Sequence, residues 1–236
     1  MKSFNKMDEE LIGHNCFTGK LEYITENLKG KVLDVGFSSG LIHKQIISMR
    51  KDCEIWGLDL KIVSDYYNGD KNVIIDDAQT MNKVPNESFD TVFAGEIIEH
   101  LEDENSFLEN TNRILKKGGI LILTTPNRNS LVNIIFHSYE HKGHKEDYGT
   151  NFHRKLFTIG ELKRLLKEKE FEIVDEKMMP FLSGKQIWIN KIRATIGLIL
   201  PKYLREDIVL IAKKIDVINI NRHAAATSSA VKAKKQ

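Results

Sequence analysis

The sequence predicts an α/β fold, an open and mostly parallel sheet with helices on both faces. Three observations carry that expectation. Short apolar runs of strand length alternate with segments of helical periodicity from Lys31 to Ala212. The first run ends in a glycine-containing turn, Gly36-Phe37-Ser38-Ser39-Gly40. Acids then close two further runs, Asp59 after the second and Asp76-Asp77 after the third, while Asp34 lies inside the first.

The elements follow in order. Residues 17–28 read as a helix closed by Gly30. Val32 to Val35 is a short apolar strand, and Gly40 to Met49 a helix. Glu54 to Leu58, Val73 to Ile75 and Phe89 to Ala94 read as strands two to four. Asn105 to Leu115 has apolar Phe107, Leu108, Ile114 and Leu115 at helical spacing, and Ile120 to Thr124 is a fifth strand. Thr158 and Glu161 form the capping-box pattern at the head of an amphipathic helix reaching Lys169. Phe171 to Val174 and Ile208 to Ala212 read as two more strands. No internal repeat and no linker divides residues 31–220, so they are expected to form one domain. Residues 1–30 would be an N-terminal capping segment and residues 221–236 a disordered tail.

Composition excludes several classes. The 236 residues carry 35 Lys+Arg against 33 Asp+Glu, a formal net charge of +2, which gives no whole-chain case for nucleic acid. Two cysteines, Cys16 and Cys53, offer neither a disulfide framework nor zinc-ligand spacing. No signal-peptide pattern opens the chain and no run reaches the length of a membrane span, so a cytoplasmic location is expected.

The candidate site begins at the first strand. A glycine turn before a helix lets backbone approach a ligand and offers free N–H groups. The dinucleotide pattern G-x-G-x-x-G fails here, because Ser38 and Leu41 stand where its later glycines belong, which argues against NAD. An acid at the end of a second strand suits ribose hydroxyls. Each acid alone reads as a cap or turn residue; together, along one sheet edge, they favour a nucleoside ligand. After the fourth strand, Gly95-Glu96-Ile97-Ile98-Glu99-His100-Leu101 places two acids and a histidine at i, i+3 and i+4. On a helical turn those three would share a face, either as a helix N-terminus or as a catalytic or metal-binding cluster.

The stretches VLDVGFSSG, GLDL, DDAQTMNKVPNESFD, EIIEHL and LKKGGILILTTPN, in this order, resemble the class I S-adenosylmethionine-dependent methyltransferases. The resemblance is to the branch whose fifth strand ends in Thr-Pro-Asn, which includes the ubiquinone-pathway O-methyltransferases, and it covers residues 31–177. It implies a Rossmann-like, seven-stranded sheet with a reversed strand near the C-terminus. It implies that Gly36, Ser38 and Gly40 pass along the methionine part of S-adenosylmethionine, with Asp34 supporting the turn. Asp59 would hold the ribose, and Asp77 with the Ala78 backbone would meet the adenine. Ser38 departs from the usual glycine, and serine is small enough for that place.

The two-glutamate form in EIIEHL resembles small-RNA 3′-terminal 2′-O-methyltransferases and the ubiquinone-pathway O-methyltransferases, and His153 in HRKLFTIGEL stands where the RNA enzymes carry a later histidine; this resemblance implies a candidate ligand set for Mg²⁺ or Mn²⁺, Glu96, Glu99, His100 and His153. The alternative without a metal makes His100 or His153 a general base, with Glu99 beside them. Two inserts would shape the acceptor site. Residues 127–152 form the first insert, within which the segment around 137–144, with His137, His141 and His144, reads as a polar lid; the second insert, residues 180–204, is the apolar one. A lipophilic acceptor or a peripheral membrane contact through 187–200 would explain the second insert, as would a helix on the core or a dimer interface. The expected function is O-methylation of a small-molecule hydroxyl in glycan, lipid or secondary metabolism. Two alternatives are a metal-dependent RNA 3′-terminal 2′-O-methyltransferase and a non-catalytic nucleoside-binding or scaffold protein.

Overall fold

The computed structural model describes residues 19–62, 69–136, 153–179 and 199–215. The expected lid, most of the second insert and the tail lie outside them. Helix α1 (Lys20–Asn27) leads into β1 (Lys31–Val35), then α2 (Leu41–Met49), β2 (Glu54–Asp59), β3 (Val73–Ile75) and β4 (Phe89–Gly95). A 3₁₀ turn (Ile98–His100) precedes α3 (Glu104–Ile114), β5 (Leu115–Pro126) and a short α4 (Leu131–Phe136). The chain closes with α5 (Ile159–Glu168), β6 (Phe171–Met179), a second 3₁₀ turn (Lys202–Leu204) and β7 (Asp207–Lys214).

The seven strands form one sheet in the order β3-β2-β1-β4-β5-β7-β6. The first five pair in parallel, and β7 runs antiparallel to both β5 and β6. The reversed strand expected near the C-terminus is therefore β7. Alternation of side chains across each strand separates the core into two layers. Val32, Ile120, Ile122, Val209 and Ile211 pack under α1 and α2 with Leu21, Ile24 and Ile46. Leu33, Leu121, Leu123, Ile208 and Leu210 pack on the other face under α3 and α5, with Phe107, Leu108, Leu162 and Leu166. Helices thus cover both faces, which a parallel sheet requires.

Several strands run longer than expected: β6 reaches Met179 rather than Val174, and β7 spans Asp207–Lys214 rather than 208–212. β5 begins at Leu115 rather than Ile120, because Leu115 pairs with Phe89 beyond the register shift that Gly118 and Gly119 accommodate. The expected first helix starts at Lys20 within the described residues, and Gly30 closes the segment at φ +64°. In an order of this kind the strand sequence reverses between β1 and β4, and ligands bind outside the carboxyl ends of the strands at that crossing. Among the described residues no helix is long and apolar enough to cross a membrane.

Candidate functional site

The turn after β1 sits at that crossing. Gly36 adopts φ +76° and its N–H donates to the Leu58 carbonyl at 2.7 Å. A Cβ there would lie 2.5 Å from Ile97 Cδ1, so only glycine lets the turn pass the loop after β4. Ser38 also has a left-handed backbone, φ +50°. That conformation costs a non-glycine residue about 1–2 kcal/mol. Asp59 holds the strained turn, its Oδ2 accepting from the Ser38 N–H at 2.8 Å. Gly40 ends the turn as the N-cap of α2 at φ +77° and gives that helix no side-chain cap.

Asp34 is buried and accepts or shares a hydrogen bond with His43 Nδ1 at 2.9 Å. Burial is the largest influence on Asp34 and lifts its carboxyl above the usual range against the pull of His43. Asp77 stands beyond β3, where Oδ1 accepts from the Gln79 N–H at 2.8 Å, and Ala78 is buried beside it. No local pattern singles out Gln79. Its Oε1 accepts from the N–H groups of Glu102 and Asp103 at 3.0 and 2.7 Å. It therefore fastens the turn after β3 to the loop after β4.

A cavity of about 330 Å³ opens at the crossing. Gly36, Ser38, Asp34, Gly95, Glu96 and Thr124 line one side, and residues of α1 and α2 the other. Acids at the ends of β2 and β3, a glycine turn and a cavity at the reversal of strand order fit a nucleoside cofactor with a polar tail.

Glu96 corrects the helical expectation. Its backbone is left-handed, φ +52°, and the 3₁₀ turn begins only at Ile98. Glu96 therefore leaves the face of Glu99 and His100 and turns toward α1. Lys20 Nζ donates to Glu96 Oε1 at 2.8 Å and to Asp207 Oδ2 at 2.7 Å, while Thr124 Oγ1 donates to the same Glu96 oxygen at 2.7 Å. Burial alone would lower the Lys20 pKa, but Asp207 and Glu96 outweigh it and hold the ammonium above its ordinary range. Burial pushes the Asp207 carboxyl up to about 7, with Glu96 adding to the rise and Lys20 opposing it. Lys20 carried no local signal in the sequence, since its partners lie 76 and 187 residues away.

Glu99, His100 and His153 do converge. Each offers a ligand atom, and these atoms all lie within 4.8 Å of one another. The His100 and His153 rings stand 5.0 Å apart. The backbone explains how His153 arrives, because the Arg154 and Lys155 N–H groups donate to the Glu99 carbonyl at 2.8 and 3.2 Å. Glu99 is fully buried; its Oε2 accepts from Thr125 Oγ1 at 2.9 Å, and its Oε1 accepts no hydrogen bond among the described residues. Burial, then the negative charge of Glu96, pushes the Glu99 carboxyl up to about 8. A buried oxygen without a donor, facing two imidazoles, fits a divalent cation. Glu96 is outside this group, so the cluster is three side chains rather than the expected four.

Known proteins can be set beside this geometry. A family model described as a methyltransferase domain matches residues 10–176. The chain is similar to a ubiquinone biosynthesis O-methyltransferase of Dinoroseobacter shibae, 34% identical over 121 residues, which span 47% of this chain and only 48% of that relative. A protein of the same description from Roseobacter denitrificans is 26% identical, covering 75% of this chain and 83% of the relative. Among solved structures, a SAM-dependent methyltransferase from Methanosarcina mazei superposes with a TM-score of 0.61 at 19% identity, covering 82% of this chain and 97% of that one. At that identity the likeness speaks for the fold alone. With the family model spanning well over half of its residues, the chain belongs to the methyltransferase-domain family, and its cofactor is S-adenosylmethionine.

Proposed function

We propose that the chain methylates a hydroxyl oxygen of a small-molecule acceptor, a glycan, lipid or secondary metabolite. The observation that carries this reading is the Glu99–His100–His153 cluster, where the 3₁₀ turn after β4 meets the segment that precedes α5. Resemblance to enzymes named as O-methyltransferases supports the oxygen. S-adenosylmethionine supplies a methyl group on a sulfonium, activated toward a nucleophile. A neutral hydroxyl attacks poorly and needs its proton removed as the new bond forms. His100 and His153 stand ready for that proton, one beside the other, and Glu99 fixes the floor beneath them through Thr125. Asp59 and Asp77 would hold the nucleoside while the Gly36–Gly40 turn passes the methionine part.

Glu99, His100 and His153 would also be the ligands of a divalent cation such as Mg²⁺ or Mn²⁺. When bound, such an ion lowers the pKa of a coordinated hydroxyl and orients it. The mixed carboxylate and imidazole set suits Mn²⁺ better than Mg²⁺, which favours oxygen ligands.

The test is transfer of a tritiated methyl group from the cofactor into small-molecule, lipid and RNA fractions of a cell extract, with and without chelator. Label in the small-molecule or lipid fraction, lost in His153→Ala, supports the reading. Chelator sensitivity restored by Mn²⁺ supports the ion; indifference to chelator leaves the histidines as plain bases. Label confined to RNA overturns the small-molecule acceptor.

A further inference from the structure

We infer that His43 is a positioning residue for cofactor binding, its imidazole holding the Asp34 carboxylate in place on the wall of the cavity. The inference rests on the cofactor assignment above. Asp34 stands two residues beyond Val32 on β1, so its side chain leaves the sheet on the face that α1 and α2 cover. There it joins the cavity wall. His43 reaches it from α2, where it is buried together with Ile46, and its Nδ1 stands 2.9 Å from Asp34 Oδ2. The pair is sealed from water, with His43 2% exposed and Asp34 3%.

The imidazole has a place made for it. It packs against Phe37 of the turn after β1, with ring centroids 5.1 Å apart. Gly57, which pairs with Asp34 on β2, leaves the space: a Cβ there would lie 2.8 Å from Phe37 Cδ1 and 3.2 Å from His43 Cε1. Histidine is a costly choice for packing alone, because a buried ring nitrogen needs a hydrogen-bond partner. What it offers over an apolar ring is a donor to the carboxylate. A buried carboxylate without such a donor favours its neutral form. Burial is the largest influence on Asp34 and raises its pKa, His43 draws it down, and Asp59 at the end of β2 adds to the rise. Lys20 and Glu96 bring further charge to the cavity wall. The cofactor is positive at its sulfonium and its ammonium, so a fixed and ionised Asp34 favours its binding. His43 acts on the cofactor through that carboxylate.

The experiment is titration calorimetry with S-adenosylhomocysteine, which keeps the ammonium, between about pH 5 and 8. His43→Asn keeps a donor near the place of Nδ1 and gives up the ring. His43→Phe keeps a ring against Phe37 and gives up the donor. His43→Asn should bind within about twofold of wild type, and His43→Phe about tenfold more weakly. Affinity should also begin to fall toward acid at a higher pH in His43→Phe than in wild type, because Asp34 without its donor takes up a proton sooner. On an Asp34→Asn background His43→Phe should cost nothing further, since the two residues act through one contact. Melting temperatures report the folding of each variant, and His43→Leu takes the place of His43→Phe if the latter does not fold. The reverse ranking, with His43→Phe near wild type and His43→Asn weak, assigns the residue to packing and overturns the inference. An unshifted pH profile, or an undiminished loss on the Asp34→Asn background, overturns it as well. Wild-type protein that binds no S-adenosylhomocysteine removes the cofactor assignment and the inference with it.

Discussion

Ser38 shows how a single residue bears on the site. Its left-handed backbone is a strained choice for serine, held by the Asp59 carboxylate. Ser38→Gly should therefore stabilise the fold by about 1 kcal/mol, read as a rise of about 2–4 °C in melting temperature. A lower melting temperature would mean that the serine side chain contributes more than its backbone costs. The strand-end acids were legible in the sequence because a strand terminus marks its own residue: Asp59 and Asp77 stand at the sheet edge where they were expected. Lys20 and Gln79 were not, because what defines them is contact with distant segments. Glu96 misled for a related reason. Its i, i+3, i+4 spacing suits a helix, yet just past the end of β4 its backbone is left-handed and its carboxylate pairs with Lys20.

At the scale of elements, α1, β4 and β7 meet through Lys20, Glu96 and Asp207. The Asp207 carboxyl has a folded pKa of about 7, well above its ordinary value of about 3.9. The folded state then binds more protons between those values, so this contribution to stability is complete below about pH 4 and is lost as pH rises through 7. Asp207→Asn cannot ionise. In urea unfolding at a series of pH values, wild type should lose stability relative to this variant between pH 4 and 8, by a few kcal/mol at most, on the order of 1.4 per pKa unit. A flat difference, or one of opposite slope, would contradict the arrangement. Helix α5 offers a second test. Thr158 Oγ1 accepts from the Glu161 N–H at 3.2 Å, and Glu161 Oε2 accepts from the Thr158 N–H at 2.8 Å. Thr158→Ala should cost about 1 kcal/mol of unfolding free energy. This helix was readable from its pattern alone, since a capping box and an amphipathic stripe are local. The start of β5 was not readable, because Leu115 becomes strand only through its pairing with Phe89.

For the whole molecule, the alternation of strands and helices sufficed for an α/β sheet, the seven strands and the reversed one came with the family resemblance, and the strand order came only with the structure. The reason is physical: pairing between β5, β7 and β6 joins segments far apart in the chain, and no local pattern encodes which edge a late strand takes. The order that results puts the turn after β1, the acids after β2 and β3 and the loop after β4 along one edge. A cofactor bound there touches four separated stretches at once. Hydrogen exchange with and without S-adenosylhomocysteine measures this directly. Protection on binding should gather at residues 36–42, 57–59, 76–79 and 95–101, with β6 and β7, beyond β5 in the sheet, unchanged away from Asp207. Protection that leaves the turn after β1 and the loop after β4 untouched would contradict a cofactor site at the β1–β4 crossing.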